Sequence, residues 1–171
     1  MKLYNVLICS LGLISSNYCS AEAIEGGTFL VSDQDSDIIV TCLGKNAGYT
    51  HNLYLDNNNT FICDSSDEGK EVNIGTFPIG TKLVFRLDVK NSGYSYYSGP
   101  AINNPDNVTH VAINRNENNE WLFGFEDLYG GGDKDYNDCN FSINNAIRGV
   151  ASTVSTVSQT LDIYVPFFRF W

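Results

Sequence analysis

Apolar and polar residues alternate along several short segments of the chain, and this period of two limits the fold more than any other feature. In TKLVFRLDV (81–89), every second residue from Leu83 to Val89 is apolar, and EWLFGFEDL (120–128) and CNFSI (139–143) repeat the pattern. Successive side chains of a strand point to opposite faces, so each segment predicts a strand with one buried face. No comparable segment shows a helical period.

Turn-forming residues separate the alternating segments. LDNNNTF (55–61), SSDEGK (65–70), KNSGY (90–94) and RNENNEW (115–121) are rich in residues that tolerate turn dihedrals. Short strands at this spacing predict an all-β fold, an antiparallel two-sheet sandwich that is jelly-roll-like. We assign it to a single domain over residues 24–148.

The first 23 residues have the pattern of an export signal. Lys2 is followed by an apolar run from Val6 to Ile14, and small residues stand at Ala21 and Ala23. We therefore expect a signal peptide at residues 1–23, cleaved after Ala21 or Ala23, and a mature protein that is secreted or held at the cell surface. No later run of about eighteen apolar residues exists, which predicts no membrane span.

The C-terminal residues 149–171 differ in composition from the rest of the chain. A Ser/Thr/Val-rich tract is followed by YVPFFRFW (164–171). Exposed aromatic side chains favour association, so this end either packs onto the sandwich or serves as a sorting or anchoring tail.

The charge of the chain excludes one class of partner. Twenty acidic residues stand against ten basic ones, a formal charge of −10. Binding to nucleic acid or to an anionic membrane requires clustered Lys and Arg, so neither is expected. An acidic surface suits a divalent cation.

Three cysteines remain after the predicted signal peptide. Cys42 and Cys63 flank a predicted hairpin and are the expected disulfide pair, which would stabilise the fold by roughly 3 kcal/mol in the chain-entropy model. Cys139 shares the apolar face of the CNFSI strand, so we expect it to be a small buried hydrophobe.

The stretch FGFEDLYGGGDKDYNDCNF (123–141) combines two strand patterns with an acidic turn. Six oxygen-bearing side chains are candidate calcium ligands, because calcium takes six to eight oxygen ligands in irregular geometry. The triple glycine allows the chain to reverse and to bring the first two of them back toward the others. The candidates are Glu126, Asp127, Asp133, Asp135, Asn137 and Asp138.

Two alternatives to calcium remain open at this point. The turn could be an exposed hairpin in which Asp and Asn side chains bond their own backbone. A second acidic alternation, Asp33, Asp35 and Asp37, has no glycine and is read as a charged strand edge, which discourages pairing with another chain. A second ion there is the alternative.

These residues carry a resemblance to a known family. FGFEDLYGGGDKDYNDCNFSI (123–143) resembles the signature of the domain of unknown function 4114, found in exported bacterial proteins. AGYT (47–50), VNIGTFPIGTKLVF (72–85) and YYSGPAINNPDNVTHVAI (96–113) resemble further blocks of the family, so the resemblance covers about residues 40–145. It implies an exported β-sandwich module with calcium suspected at the same six residues and no established catalysis.

Catalysis has little support in the sequence. The chain has no H-E-x-x-H, G-x-S-x-G or C-x-x-C motif, and its two histidines, His51 and His110, fall in or beside predicted strands. Glu126 and Asp127 could form a hydrolase carboxylate pair, but adjacent strand residues point to opposite faces. We therefore expect no enzyme activity, and an extracellular hydrolase is the third hypothesis.

A cluster of tyrosines suggests a ligand. Tyr94, Tyr96 and Tyr97 lie close together in SGYSYYSGP (92–100), where they could stack on sugars beside a calcium turn. Alternatively, these rings fill the edge of the sandwich. The sequence thus predicts a calcium-binding module for adhesion, with a glycan or extracellular-matrix component as partner; the second hypothesis is a calcium-dependent lectin.

Overall fold

The structure is a computed structural model that describes residues 24–33, 35–116, 120–144 and 147–150. Within these ranges, short strands are joined by turns, and one 3-10 turn spans Ala101–Asn103. The strands are β1 (Ile24–Glu25), β2 (Thr28–Val31), β3 (Ile39–Gly44), β4 (His51–Leu55), β5 (Thr60–Asp64), β6 (Glu71–Asn73), β7 (Lys82–Leu83), β8 (Phe85–Val89), β9 (Ser95–Tyr97), β10 (Val111–Arg115), β11 (Trp121–Phe125), β12 (Cys139–Ile143) and β13 (Ile147–Val150).

These strands form three antiparallel sheets. The largest has the order β1-β10-β11-β12-β3-β6, a second has the order β5-β4-β8-β9, and the smallest has the order β13-β2-β7. The two smaller sheets are directly connected: β7 of the three-stranded sheet leads into β8 of the four-stranded sheet through a single residue, Val84. The predicted all-β antiparallel sandwich is confirmed.

The core lies between the sheets and is rich in phenylalanine. The ring of Phe85, on β8, is 5.5 Å from that of Phe123 on β11 and 5.0 Å from that of Phe141 on β12. Phe29, on β2, lies 4.1 Å from Phe123. All four side chains are buried, so the aromatic contacts join the three sheets across one core.

Strand β8 shows how the alternation in the sequence gives one buried face and one partly exposed face. Phe85, Leu87 and Val89 are buried, whereas Arg86 and Asp88 are partly exposed on the other face. There Arg86 forms an ion pair with Asp88 at 2.9 Å. The period of two therefore separates the core from a charged outer face, as predicted.

The predicted disulfide between Cys42 and Cys63 is confirmed. Cys42 lies on β3 of the six-stranded sheet, and Cys63 lies on β5 of the four-stranded sheet. The bond therefore connects two sheets covalently. Cys139 is a buried free thiol at the start of β12, in line with its place on the apolar face.

Both ends of the chain extend past the described residues. The predicted signal peptide (1–23) and residues 151–171, with the aromatic C-terminal end, lie outside them. Strand β13 pairs with β2 and runs across residue 148, the boundary predicted for the sandwich. Within the described residues, no helix has the length and apolar character needed to cross a membrane.

Candidate metal centre

The acidic turn is the connection between β11 and β12. These strands pair with Phe125 opposite Cys139, so residues 126–138 leave the sheet and return to it at one point. Gly130, Gly131 and Gly132 all have positive φ, which glycine adopts without steric cost. The reversal predicted for the triple glycine is therefore present.

The second half of the turn has an alternating backbone. Lys134 and Tyr136 adopt φ of 63° and 52°, in the left-handed region that costs a non-glycine residue roughly 1 kcal/mol or more. The carboxylates of Asp133 and Asp135 flank the first of them. A conformation of this cost is maintained where surrounding contacts determine it.

One such contact is with strand β11. The carbonyl oxygen of Tyr136 would lie 1.7 Å from a Cβ placed on Gly124. Any side chain at position 124 would thus occupy the space of the turn. Asn140 Nδ2 and the backbone N–H of Asn46 both donate to the carbonyl of Asn137, at 2.7 and 3.0 Å. The turn is consequently packed against the sheet.

Glu126 is the first residue of the turn after β11, and its side chain is buried. Its side chain is 1% exposed, and its Oε1 accepts a hydrogen bond from the Tyr136 N–H at 2.5 Å. Its Oε2 is buried and has no hydrogen-bond partner. Burial raises the pKa of Glu126, and the carboxylates of Asp138, Asp133 and Asp135 add to the effect.

Asp133 and Asp135 complete a three-carboxylate group with Glu126. One oxygen from each of the three side chains lies within 4.8 Å of the others. Calcium–oxygen distances are about 2.3–2.6 Å, so oxygens on opposite sides of one calcium ion are about 5 Å apart. The spacing of these carboxylates therefore fits a single calcium ion, and their exposed side leaves room for further ligands.

Asn137 is held by this group. Its side-chain amide donates to Asp135 Oδ2, and its backbone N–H donates to Asp135 Oδ1 at 3.2 Å. These bonds orient the Asp135 carboxylate. Asn137 thus supports one of the three carboxylates in this arrangement.

Asp127 and Asp138 form a separate pair. The Asp127 N–H donates to Asp138 Oδ2 at 3.0 Å, and Asp127 Oδ2 is buried without a partner. Burial, reinforced by the neighbouring Asp138, raises the pKa of Asp127 to about 6. Burial also raises the pKa of Asp138. The six predicted ligands thus fall into a group of three, a pair, and an amide that orients one carboxylate.

Sequence reasoning missed a second anchor of the turn. Asp106 Oδ2 accepts from the Gly130 N–H at 2.7 Å and lies 2.8 Å from His110 Nε2. His110 Nδ1 lies 2.9 Å from the Glu126 carbonyl. Both ring nitrogens of His110 are therefore at hydrogen-bond distance from oxygen atoms, one on Asp106 and one on the backbone of Glu126.

The Asp106–His110 pair is buried between the turn and the core. The ring of His110 stacks on that of Tyr96 at 3.7 Å. Although burial opposes ionisation, hydrogen bonds from Gly130 and His110 lower the pKa of Asp106. No sequence motif marks the pair, because residues four apart in a loop acquire this geometry only from the surrounding fold.

The three predicted ligand-binding tyrosines occupy different environments. Tyr94 is 42% exposed and its ring lies 5.2 Å from that of Tyr129, beside the glycines of the turn. Tyr96 is fully buried and offers no surface to a ligand. Tyr97 lines a different depression, together with Lys82.

The other acidic alternation, Asp33, Asp35 and Asp37, lies between β2 and β3 and not on the strand edge predicted from the sequence. Asp33 accepts hydrogen bonds from the Asp35 N–H at 3.0 Å and from Ser36 Oγ at 2.5 Å. Asp37 accepts from the Asn73 side chain at 2.8 Å. These carboxylates are exposed, and their hydrogen bonds are with neighbouring polar groups.

A family model described as a domain of unknown function, DUF4114, matches residues 46–146, which agrees with the resemblance carried by the sequence blocks. No curated protein and no solved structure matches the chain significantly. Because the family model covers more than half of the chain, the protein belongs to the DUF4114 family.

Proposed function

We propose that this chain is an exported β-sandwich module that binds calcium at the 126–138 turn and serves interactions outside the cell or at its surface. One observation carries the proposal. Glu126 places a buried carboxylate oxygen without a hydrogen-bond partner in a group with Asp133 and Asp135. The proposed role is binding, without catalysis.

Burying a carboxylate is unfavourable unless the group gains a partner. An ionised group taken out of water without a partner costs several kcal/mol or shifts its pKa toward the neutral form. Three further carboxylates, those of Asp138, Asp133 and Asp135, increase the repulsion. A divalent cation would remove the repulsion and supply the missing partner of Oε2. Fully exposed acidic turns lack this driving force.

Calcium fits the donor set better than other common ions. The candidate ligands are oxygens, whereas zinc favours nitrogen and sulfur donors. Magnesium requires near-ideal octahedral geometry, but calcium accepts six to eight oxygens in irregular arrangements. Asp133 and Asp135 are exposed, so water and the carbonyl of Asn137's side chain could complete the shell. Asp127 and Asp138, which pair with each other in the same turn, would add negative potential near the ion.

Export is supported by the sequence pattern of residues 1–23 and agrees with the Cys42–Cys63 disulfide. Calcium sites in extracellular modules have Kd values of about 10⁻⁴ to 10⁻³ M. A site with two exposed carboxylates suits that range. N-terminal sequencing of protein recovered from the medium or the cell surface would test the export step, with a mature end after Ala21 or Ala23 expected.

A thermal melt with calcium and with chelator tests the calcium step. At calcium a hundred times its Kd, binding stabilises the folded state by about 2.7 kcal/mol. For a domain of this size, this corresponds to an increase in Tm of roughly 10 °C. Replacing Asp133 and Asp135 together by Ala should abolish the increase.

A matched control removes the same charge elsewhere. The Asp33→Ala plus Asp35→Ala variant loses two exposed carboxylates of the turn before β3 and should keep the full calcium response. An unchanged Tm of the wild-type protein with and without calcium would contradict the proposal. Equal responses of the two double variants would place the ion elsewhere.

A further inference from the structure

A cavity of about 330 Å³ lies next to the metal turn. The β8–β9 hairpin contributes Tyr94, the segment before β4 contributes Tyr49, and the turn contributes Leu128, Tyr129 and Gly132. We propose that this cavity binds a neutral saccharide, which stacks on the rings of Tyr94 and Tyr129. The proposal rests on the calcium function above, because residues of the metal turn form one side of the cavity.

The two tyrosine rings, here called the platform, are exposed and in contact with each other. Their centroids lie 5.2 Å apart with a tilt of 41°, and the side chains are 42% and 59% exposed. Leu128, beside them, is 43% exposed. Apolar groups clustered on a surface in this way commonly mark a binding site. The turn and the hairpin thus bring together an apolar surface that neither would form alone.

The platform has a fixed orientation. Tyr94 also packs against Tyr96 at 6.2 Å, and Tyr96 is buried and stacked on His110. On the other side, the Gly130 N–H is held by Asp106, which fixes the chain directly after Tyr129. A preorganised surface loses little conformational entropy when a ligand binds.

The chemistry of the lining favours a saccharide. The apolar face of a sugar ring can stack on an aromatic ring, and its hydroxyl groups require polar partners at the edge. The tyrosine hydroxyls and Ser92 supply polar groups around the platform. Among the described residues that line the cavity, there is no Lys or Arg to recognise an anionic group.

The arrangement of the rings argues against an organic cation. Aromatic cages place separate rings around an ammonium group, within about 6 Å of each centroid. Tyr94 and Tyr129 are instead in tilted contact with each other, so no ammonium group fits between their faces. A volume of about 330 Å³ lies at the lower end of the range for small-molecule sites, which suits one or two sugar rings.

The cavity is physically connected to the proposed calcium site. A Cβ placed on Gly132, which lines the cavity, would lie 2.5 Å from Glu126 Oε2. Asp127, also in the lining, follows Glu126 directly. Calcium held by Glu126, Asp133 and Asp135 would relieve the repulsion among these carboxylates, and so would maintain the orientation of the segment that carries Tyr129. Saccharide binding is therefore expected to depend on calcium.

An array of neutral and anionic oligosaccharides, probed with the full exported domain in calcium and in chelator, tests the proposal. The wild-type protein should bind neutral glycans in calcium and lose them in chelator. Tyr129→Ala and Tyr94→Ala should each weaken binding by about tenfold, as expected for the loss of a central aromatic contact. Tyr129→Phe keeps the ring and should retain most of the binding.

Two measurements separate this proposal from the calcium function. The tyrosine variants should keep the calcium-induced increase in Tm, because neither side chain belongs to the three-carboxylate group. Phe61→Ala, which removes a 43% exposed ring on β5, should keep both the calcium response and glycan binding. The Asp133→Ala plus Asp135→Ala variant should lose both.

The following results would overturn the proposal. A normal calcium response without binding to any neutral glycan would reject the saccharide and leave the calcium function standing. Binding confined to anionic glycans would also reject it. So would NMR signals of Tyr94 and Tyr129 that shift on addition of tetramethylammonium and do not shift on addition of sugars. Glycan binding that persists in the Asp133→Ala plus Asp135→Ala variant would reject its dependence on calcium.

Discussion

The two acidic turns of this protein have similar sequences and different physical environments. Asp33 and Asp35 are exposed, and hydrogen bonds from Ser36 and the Asp35 backbone lower the pKa of Asp33. Glu126 lies at the base of the other turn, where burial raises its pKa. The difference teaches that alternating carboxylates become a candidate metal site when the fold buries one of them without a partner.

The largest effect on stability should come from displacing the 126–138 turn from the sheet. Gly124→Ala places a methyl group where the Tyr136 carbonyl lies, so the turn must shift. We expect a loss of about 3 kcal/mol in the free energy of unfolding, measured by urea denaturation, and loss of the calcium response. Gly48→Ala is the control, since no atom outside its chain neighbours lies within 4 Å of a Cβ there. A retained calcium response in Gly124→Ala would contradict this account of the turn.

Removing the buried charge should affect the two forms of the protein in opposite directions. Glu126→Gln replaces Oε2 by an amide that can donate to the nearby carboxylates of Asp133 and Asp135. The calcium-free protein should therefore gain about 1–2 kcal/mol in the free energy of unfolding, while the response to calcium is lost. Denaturation in chelator and in calcium measures both effects.

Glu71→Gln is the control for that variant. Glu71 is exposed at the edge strand β6, so neither form of the protein should change. If Glu126→Gln destabilised the calcium-free protein, the buried carboxylate would already have a compensating partner.

The pH dependence of the calcium-free protein should reveal Asp127. The folded state raises the pKa of this carboxyl from 3.8 to about 6, so it binds the proton more tightly than the unfolded state does. The contribution of Asp127 to stability therefore increases as the pH falls through 6, by about 1 kcal/mol between pH 7 and pH 5. Urea denaturation of metal-free protein at the two pH values measures it.

Asp127→Asn isolates this contribution from those of the other carboxylates. The variant should lose the part of the pH dependence that Asp127 supplies, so the difference between wild type and variant should shrink as the pH falls. Asp33→Asn should leave the pH 5–7 range unchanged, because the lowered pKa of Asp33 places its titration below that range. Identical pH profiles for wild type and Asp127→Asn would be evidence against a raised pKa.

The smallest effect should come from the backbone of the turn. Lys134 has a φ of 63°, so Lys134→Gly relieves a left-handed conformation and should stabilise the protein by up to about 1 kcal/mol. Lys134→Ala removes the same charge and keeps the backbone cost, so it should not stabilise the protein. Thermal melts in chelator compare the two. Equal gains would assign the effect to charge.

The period of two and the spacing of turns were sufficient to predict the sandwich, and the hairpin between Cys42 and Cys63 was sufficient to predict the disulfide. Both depend on local sequence patterns. The location of the acidic turn was predictable for the same reason, since glycines and carboxylates lie within one short segment.

Which of the six candidate ligands group together in the turn could not be predicted from the sequence. Whether Glu126 or Asp127 joins Asp133 depends on which side of the connection each faces after the chain leaves β11. The Asp106–His110 anchor and the burial of Tyr96 depend on contacts between distant segments. Such contacts arise from tertiary packing, which overrides local propensity.

The Cys42–Cys63 bond has a consequence for the response of the chain to a stretching force. The bond joins β3 and β5, which lie in different sheets, and its two residues are separated by 21 positions in sequence. A chain of that length extends by about 70 Å when fully stretched. Under tension the segment between Cys42 and Cys63 cannot extend, because the disulfide closes it into a loop. The hairpin within this loop therefore cannot be pulled open, and the two sheets cannot separate fully. Mechanical extension would have to begin elsewhere in the sandwich, and the hairpin would remain tethered to the six-stranded sheet throughout.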